Sequence, residues 1–183
     1  MIVGVTAVNS ERWQQTIAGT WRDDPDVNYG GYLGDAGSHR LDNLFYLTGF
    51  SLSELTARST KAGSHVEIVT LVNGELKDVT NRGVPFSLSF FGNSNSFHEE
   101  LFIHCEKADL IVRDCQLFIG RANEVELIDL PPEQSGRESI QNPVAGFLDL
   151  VTGAAENISP FECALPVFDM TTSILDAAES HNS

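Results

Sequence analysis

The sequence contains little positive charge: 11 Lys and Arg residues stand against 26 Asp and Glu residues, giving a net charge of −15. Binding to nucleic acid requires clustered basic side chains, and an anionic membrane surface repels an acidic protein. No apolar run approaches the roughly 20 residues of a membrane span, and the N-terminus has no basic segment followed by an apolar one. We therefore expect a cytoplasmic protein with no nucleic-acid or membrane partner.

Cysteine and histidine are also few. The three cysteines, Cys105, Cys115 and Cys163, are an odd number without metal or redox spacing, so we predict buried free thiols. His98 and His104 are six residues apart, whereas a zinc-binding helix needs histidines four apart. In a strand these two histidines would lie about 20 Å from each other. We therefore expect no metal site.

A dinucleotide-binding fingerprint is missing as well. Residues 30–37 are rich in glycine, but the fingerprint would need glycine at positions 29, 31 and 34, and position 29 is Tyr. The preceding segment, Asp-Pro-Asp-Val-Asn, is not a buried strand, which such a site requires. No phosphate-binding loop of the Walker A type occurs elsewhere. We expect no cofactor-binding residues in this chain.

The composition that is present indicates one globular domain, residues 1–183. Hydrophobic residues make up 42% and charged residues 20%, which is enough apolar material for a sizeable core. Residues 2–8 are β-branched and apolar and predict a first strand. Between residues 52 and 130, apolar and polar residues alternate in short runs, which predicts further strands. The pair Asn73-Gly74 predicts a hairpin turn after a strand over residues 66–72.

Helices are predicted at the C-terminal end. One begins at Asn142-Pro143 and ends at Gly153, and a capping box at Ser159-Pro160 begins the last, with Pro166 kinking or restarting it. No helix between the predicted strands is long enough for parallel crossovers. The fold class is therefore α+β, with an open, mostly antiparallel sheet and helices on one face.

The segment from Trp21 to Gly49 contains the candidate chemistry. Gly30 and Gly31 predict a turn, followed by a helix that Gly49 ends. On that helix, Asp35 and His39 are four residues apart on one face, close enough for the carboxylate to orient the imidazole as a general acid or base. The alternative is a solvated helix face on which Asp35 is the N-cap.

The same segment resembles the C-terminal domain of the glucose–fructose oxidoreductase/inositol dehydrogenase (Gfo/Idh/MocA) family. The resemblance lies in Trp21-Arg22, then Gly30-Gly31, then Asp35-x-Gly37-x-His39-x-x-Asp42, in that order. It implies the substrate-binding half of an NAD(P)-dependent oxidoreductase that acts on a hydroxyl carbon of a sugar, inositol or another polyol. Asp35 and His39 are then the catalytic candidates, and Trp21, Arg22 and Asp42 are candidates for substrate binding.

Two of these residues keep an alternative interpretation. A tryptophan such as Trp13 or Trp21 either lines a pocket or closes the core, and the core is favoured. Arg22 either binds a substrate hydroxyl or carboxylate, or pairs with Asp23 or Asp24 at the surface.

The resemblance also sets expectations for the cofactor. In the family, the first strand follows a dinucleotide-binding domain, so NAD or NADP is expected only if such an N-terminal domain is present. The catalytic lysine of the family lies in a Glu-Lys-Pro motif of that domain. Here Glu106-Lys107 is followed by Ala108, and we do not transfer the role. A stand-alone, non-catalytic module for binding or subunit association is therefore the alternative function.

By the same resemblance, the polar sheet face is expected to pack against a second subunit in a homo-oligomer. The sequence alone would make it a solvated face. The residues predicted to form this face are Ser87, Ser89, His98, Glu100 and His104.

Overall fold

The computed structural model describes residues 1–129, 143–157 and 160–180. These residues form one sheet and four α-helices. The strands are β1 (Ile2–Ser10), β2 (Ser51–Thr60), β3 (Val69–Lys77), β4 (Gly83–Phe91), β5 (His98–Cys105), β6 (Asp109–Arg113), β7 (Gln116–Arg121) and β8 (Glu124–Leu127). The helices are α1 (Trp13–Ile17), α2 (Ser38–Thr48), α3 (Pro143–Val151) and α4 (Leu165–Ser180).

The eight strands lie in the order β2-β3-β4-β1-β5-β6-β7-β8. Every neighbouring pair is antiparallel except β1 and β4, which are parallel. The single parallel pair arises because β1 lies between β4 and β5 at the centre of the sheet. The predicted α+β class with an open, mostly antiparallel sheet is confirmed.

The hydrophobic core lies between one sheet face and helices α2 and α4. Alternate residues of β4 point into it, because side chains of a strand alternate between the two faces. Helix α2 contributes Leu41 and Leu44, both 1% exposed, and α4 contributes Met170 and Ile174, both 0% exposed. This packing fixes α2 on the sheet and leaves its polar residues at the surface.

The opposite sheet face is less polar than the alternation predicted. Ser87 and Ser89 of β4 pair with Thr6 and Val8 of β1 on that face. Phe102 also lies there and stacks on His104, with their rings 4.3 Å apart. The predicted polar face therefore combines serines and charged residues with aromatic and aliphatic side chains.

The predicted hairpin turn at Asn73-Gly74 is wrong. Both residues lie inside β3, which continues to Lys77. A Cβ on Gly74 would lie 2.1 Å from the carbonyl oxygen of Glu54 in β2, so this glycine permits a close approach of two strands. The turn comes later, where Asp78 accepts from the backbone N–H of Thr80 and of Arg82.

The C-terminal predictions are confirmed in part. Gly153 has a φ of +75° just beyond α3, as expected for a glycine that ends a helix. Pro166 lies in the first turn of α4, after a short 3-10 helix at Phe161–Ala164, so the helix restarts there. The predicted caps Asn142 and Ser159 lie outside the described residues.

The cysteines are free thiols, but two of them contradict the predicted burial. Cys115 and Cys163 are exposed and Cys105 is partly buried. Cys115 lies in the tight turn between β6 and β7 with a φ of +66°, where the chain is at the surface. No helix in the described ranges is long and apolar enough to cross a membrane.

Candidate functional site

The glycine turn is packed against the protein's own backbone. Gly30 and Gly31 have φ values of +85° and +54°, and a Cβ on Gly31 would lie 2.1 Å from the carbonyl oxygen of Glu67. That carbonyl accepts the N–H of Tyr32 at 2.8 Å, and the Gly30 carbonyl accepts the N–H of Gly34 at 3.0 Å. The N–H groups of Tyr32 and Gly34 therefore already have acceptors within the chain, which leaves fewer donors for a pyrophosphate.

The helix that carries the candidate residues begins with a π turn. Residues Leu33–Gly37 are π-helical and run directly into α2. Asp35 therefore lies inside the helix, and its interpretation as an N-cap is wrong. Gly49 ends the helix in the left-handed region, as predicted, and its N–H bonds to the carbonyl of Phe45. Single π turns inside α-helices occur frequently at functional sites.

On one side of the helix, Trp13 and Arg22 from other segments bind Asp35. We call these three residues the closed flank. The indole Nε1–H of Trp13 donates to Oδ2 of Asp35 at 3.1 Å, and Nε of Arg22 donates to the same oxygen at 2.8 Å. Among the described residues, His39 makes no hydrogen bond to Asp35. The four-residue spacing thus does not produce the predicted carboxylate–imidazole contact, because two donors from other segments bind the carboxylate instead.

The positions of Arg22 and Trp21 exclude one alternative for each residue. Arg22 pairs with Asp35 and not with Asp23 or Asp24. Its guanidinium also lies over the ring of Trp21, 4.5 Å from the centroid. Trp21 is 55% exposed and does not close the core, whereas Trp13 is 7% exposed and does. Trp21 is therefore available at the surface beside the closed flank.

Asp23 ties the 3-10 turn Trp21–Asp23 to the connection between β2 and β3. Its carboxylate accepts from the Ser64 hydroxyl, from the backbone N–H of His65 at 3.1 Å and from Nδ1 of His65 at 3.0 Å. These hydrogen bonds, that from Ser64 first, lower the pKa of Asp23 below its ordinary value. The 3-10 turn Trp21–Asp23 is thereby held at its C-terminal end, and the Thr20 side chain caps its N-terminal end by accepting the N–H of Arg22.

The open flank of the helix consists of His39 and Asp42. Both are exposed, and neither makes a hydrogen bond or ion pair with another described residue. They line a cleft of about 630 Å³ between α2 and the segment around α4. Asp35 is not among the residues that line this cleft. The other lining residues include Tyr29, Ser38, Phe161, Phe168 and Thr172.

The sequence did not point to a second cavity, of about 310 Å³, between α2 and strands β1, β5 and β6. Arg40 and Glu99 form an ion pair of 2.5 Å at its edge. Nearby, the buried Tyr32 donates to the Oδ1 of Asn9, and burial raises the pKa of Tyr32 well above its ordinary value. The sequence alone could not predict the ion pair between Arg40 and Glu99, because these residues are far apart in the chain.

Metal chemistry has no support among the described residues. No three His, Cys, Asp or Glu side chains in this part of the chain lie close enough to hold an ion. His98 and His104 instead approach Asp114 and Asp109, at 3.6 and 3.7 Å.

Comparison with protein families gives one match. Residues 2–111 match the model of the GFO/IDH/MocA C-terminal domain, which covers strands β1 to β5 and the helix that carries Asp35, His39 and Asp42. No curated protein matches the sequence.

Solved structures with this fold are longer than this chain. An oxidoreductase domain protein from Kribbella flavida has a TM-score of 0.78 and 17% identity, over 98% of this chain and 58% of that chain. UDP-N-acetylglucosamine 3-dehydrogenase from Acidithiobacillus ferrooxidans has a TM-score of 0.76 and 16% identity, over 98% and 54%. Levoglucosan dehydrogenase in complex with NADH and levoglucosan has a TM-score of 0.77 and 15% identity, over 98% and 57%. At these identities the match shows a shared fold, and this chain spans little more than half the length of those proteins.

Proposed function

Because this chain belongs to the GFO/IDH/MocA C-terminal domain family, we propose that it is the substrate-binding part of an NAD(P)-dependent oxidoreductase. The substrate would be a sugar, polyol or related compound, oxidised at a hydroxyl carbon. Two structural neighbours are named as sugar dehydrogenases, and one was solved with NADH and levoglucosan. The observation that carries the proposal is the placement of His39 in an open cleft of about 630 Å³.

The cleft has the chemistry that binding of a hydroxylated ligand requires. His39 and Asp42 provide a donor or acceptor and a carboxylate without partners among the described residues. Exposed aromatic side chains stand beside them, with Phe161 78% and Phe168 66% exposed. Aromatic faces pack against the C–H surfaces of a sugar ring, while polar groups bind its hydroxyls.

In the proposed reaction, His39 accepts the proton of the substrate hydroxyl or holds that oxygen. Trp21, Arg22 and Asp42 contribute to substrate binding from the surrounding surface. The nicotinamide cofactor, where it is bound, accepts the hydride. In the turn at Gly30-Gly31, the N–H groups of Tyr32 and Gly34 are already bonded within the chain. The cofactor site would therefore belong to a separate domain.

Titration of the purified chain tests this proposal directly. We expect saturable binding of levoglucosan or inositol, followed by NMR at the His39 ring, and loss of that binding in His39→Ala. Ser173→Ala is the matched control, because Ser173 lies on α4 and its hydroxyl bonds only to its own helix at Asp169. Binding that is equal in wild type and His39→Ala would refute the role of His39.

The chain should not bind NADH tightly by itself. This chain would form only part of the cleft that binds NADH, so it would make few of the contacts with that ligand. The entropic cost of ordering NADH would still have to be met. Fluorescence titration with NADH is the measurement, and micromolar affinity would contradict our interpretation of the glycine turn.

A non-catalytic module that binds small polyols or joins subunits is the second candidate function. One observation favours it: Lys107 of the Glu106-Lys107 pair follows β5 and is not among the residues that line the cleft. Polyol binding that persists without any dehydrogenase activity, when a cofactor domain is supplied, would support this candidate over the first.

We also propose a homo-oligomer formed through the open sheet face. Support comes from the apolar residues that interrupt that face, among them Phe102 and Leu71, which is 41% exposed. Mixed apolar and polar surfaces of this kind are typical of subunit contacts. Sedimentation analysis should show dimers or larger species, and a monomer at high protein concentration would contradict the proposal.

A further inference from the structure

We propose that Trp13 is a positioning residue for the proposed site. Its indole N–H, together with Arg22, holds Oδ2 of Asp35 and leaves Oδ1 as the carboxylate oxygen that accepts a substrate hydroxyl. This inference rests on the proposed function and adds a residue to it. It also changes the role of Asp35, which binds a hydroxyl of the ligand and does not orient His39.

The geometry assigns the two carboxylate oxygens different tasks. Oδ2 receives the indole N–H of Trp13 at 3.1 Å and the Nε–H of Arg22 at 2.8 Å. No described residue donates to Oδ1, and the Asp35 side chain is 31% exposed. Asp35 itself does not line the cleft, but it lies at its edge, because its helix neighbours Gly34 and Ser38 do. Two donors on one oxygen, one of them a buried indole, set the rotation of the carboxylate, so the second oxygen is presented to solvent in one orientation.

Trp13 is suited to this task because it is itself immobile. It is 7% exposed, and its ring lies 5.4 Å from that of Tyr32, which is fully buried. The backbone of the next residue, Gln14, donates to the carbonyl of Gly92 at 2.7 Å and so ties α1 to the end of β4. A buried indole N–H needs an acceptor, and Asp35 is the acceptor that this fold supplies.

Arg22 alone would not fix the carboxylate in the same way. Its side chain is 42% exposed and comes from a short 3-10 turn at the surface. An exposed ion pair of this kind contributes little fixed geometry. The indole is the rigid member of the pair, which is why we assign the positioning role to Trp13.

The test uses the whole chain and two readouts. The first is the hydrogen-exchange rate of the Trp13 indole N–H, assigned by comparison with Trp21→Phe. Loss of a hydrogen bond to a charged acceptor should raise this rate by about 10-fold or more in Asp35→Ala. Amide exchange in β4 serves as the internal control for global opening.

The second readout is the carboxyl ¹³C resonance of Asp35 during titration with levoglucosan. The variant Trp13→Phe keeps an aromatic ring in the core and removes only the N–H donor. We expect levoglucosan affinity to fall about 10-fold in this variant. A purely structural role for Trp13 would leave the affinity unchanged in Trp13→Phe at the same folded fraction.

Three results would overturn the inference. An indole exchange rate that is the same in wild type and Asp35→Ala would show that Trp13 does not hold Asp35. Equal levoglucosan affinity in wild type and Trp13→Phe would show that the contact does not position a binding group. A wild-type Asp35 resonance that levoglucosan does not shift would exclude Oδ1 as its acceptor. Loss of binding in His39→Ala alongside any of these results would leave the proposed function standing.

Discussion

The two flanks of one helix differ in how far the fold has already used their polar groups. On the closed flank, the Asp35 carboxylate is bound by Trp13 and Arg22. On the open flank, His39 and Asp42 line a cleft and have no partner among the described residues. Sequence spacing placed Asp35 and His39 together, yet donors from α1 and the Trp21–Asp23 turn separate their roles.

The difference teaches that four-residue spacing identifies a shared helix face and not a shared contact. The π turn at Leu33–Gly37 contains Asp35, so the angle between Asp35 and His39 differs from that of a regular α-helix. An oxygen that has already accepted two donors has little capacity for a third. The closed flank should therefore contribute more to stability than the open flank does, and the following changes test that difference.

The largest effect is expected at the glycine turn beneath both flanks. Gly31→Ala would place a Cβ 2.1 Å from the Glu67 carbonyl oxygen at a φ of +54°, so backbone must move. We expect a loss of roughly 3–5 kcal/mol in the free energy of unfolding. Urea denaturation followed by circular dichroism is the measurement.

Gly63→Ala is the matched control for that substitution. Gly63 has a φ of +86°, but a Cβ there would meet nothing within 4 Å. Only the left-handed conformation is then penalised, by roughly 1–2 kcal/mol. Equal losses for the two variants would mean that the close contact with Glu67 does not fix the turn.

The second effect is expected on the closed flank itself. Asp35→Ala would leave the buried indole N–H of Trp13 without an acceptor and Arg22 without its ion pair. We expect a loss of about 1–3 kcal/mol, most of it from the indole, since the arginine is partly exposed. Asp42→Ala on the open flank is the control and should change stability by no more than about 0.5 kcal/mol. Similar losses from both aspartates would remove the distinction between the flanks.

The third effect is a pH dependence of the Trp21–Asp23 turn. The pKa of Asp23 is lowered on folding, chiefly by the Ser64 hydroxyl. Its contribution to stability is therefore present above the ordinary value of 3.8 and is lost as the pH falls below that value towards the folded pKa. We expect Asp23→Asn to flatten the acid side of a plot of melting temperature against pH.

Asp78→Asn separates this local effect from a general one. Asp78 lies in the turn between β3 and β4, and its pKa is lowered chiefly by the Thr80 hydroxyl. It should also flatten the acid limb, but only Asp23→Asn should alter the fluorescence of the exposed Trp21 as the pH falls below 3.8. A change in that fluorescence in both variants would contradict a local tie between Asp23 and the turn.

Much of this architecture was predictable because it depends on local patterns. Alternation along β4 predicted its buried face, and the glycines at 30, 31 and 49 predicted a turn and a helix end. Asn73-Gly74 misled because a pair that favours turns also serves where strands approach closely. The partners of Asp35 were not predictable from local sequence, since Trp13 is 22 residues away and Arg22 is 13 residues away.

The smallest effect on stability is expected at His39, the residue on which the proposed function depends most. Its side chain is exposed, and no described residue bonds to it, so its removal leaves no buried group unsatisfied. Alanine is also the better helix former, by less than about 0.7 kcal/mol. His39→Ala should therefore unfold within about 0.5 kcal/mol of wild type, or be slightly more stable. A loss above about 1 kcal/mol would reveal a structural contact for His39 and would make any loss of polyol binding in this variant uninformative about chemistry. An unchanged unfolding midpoint together with lost binding would instead assign the open flank to ligand recognition.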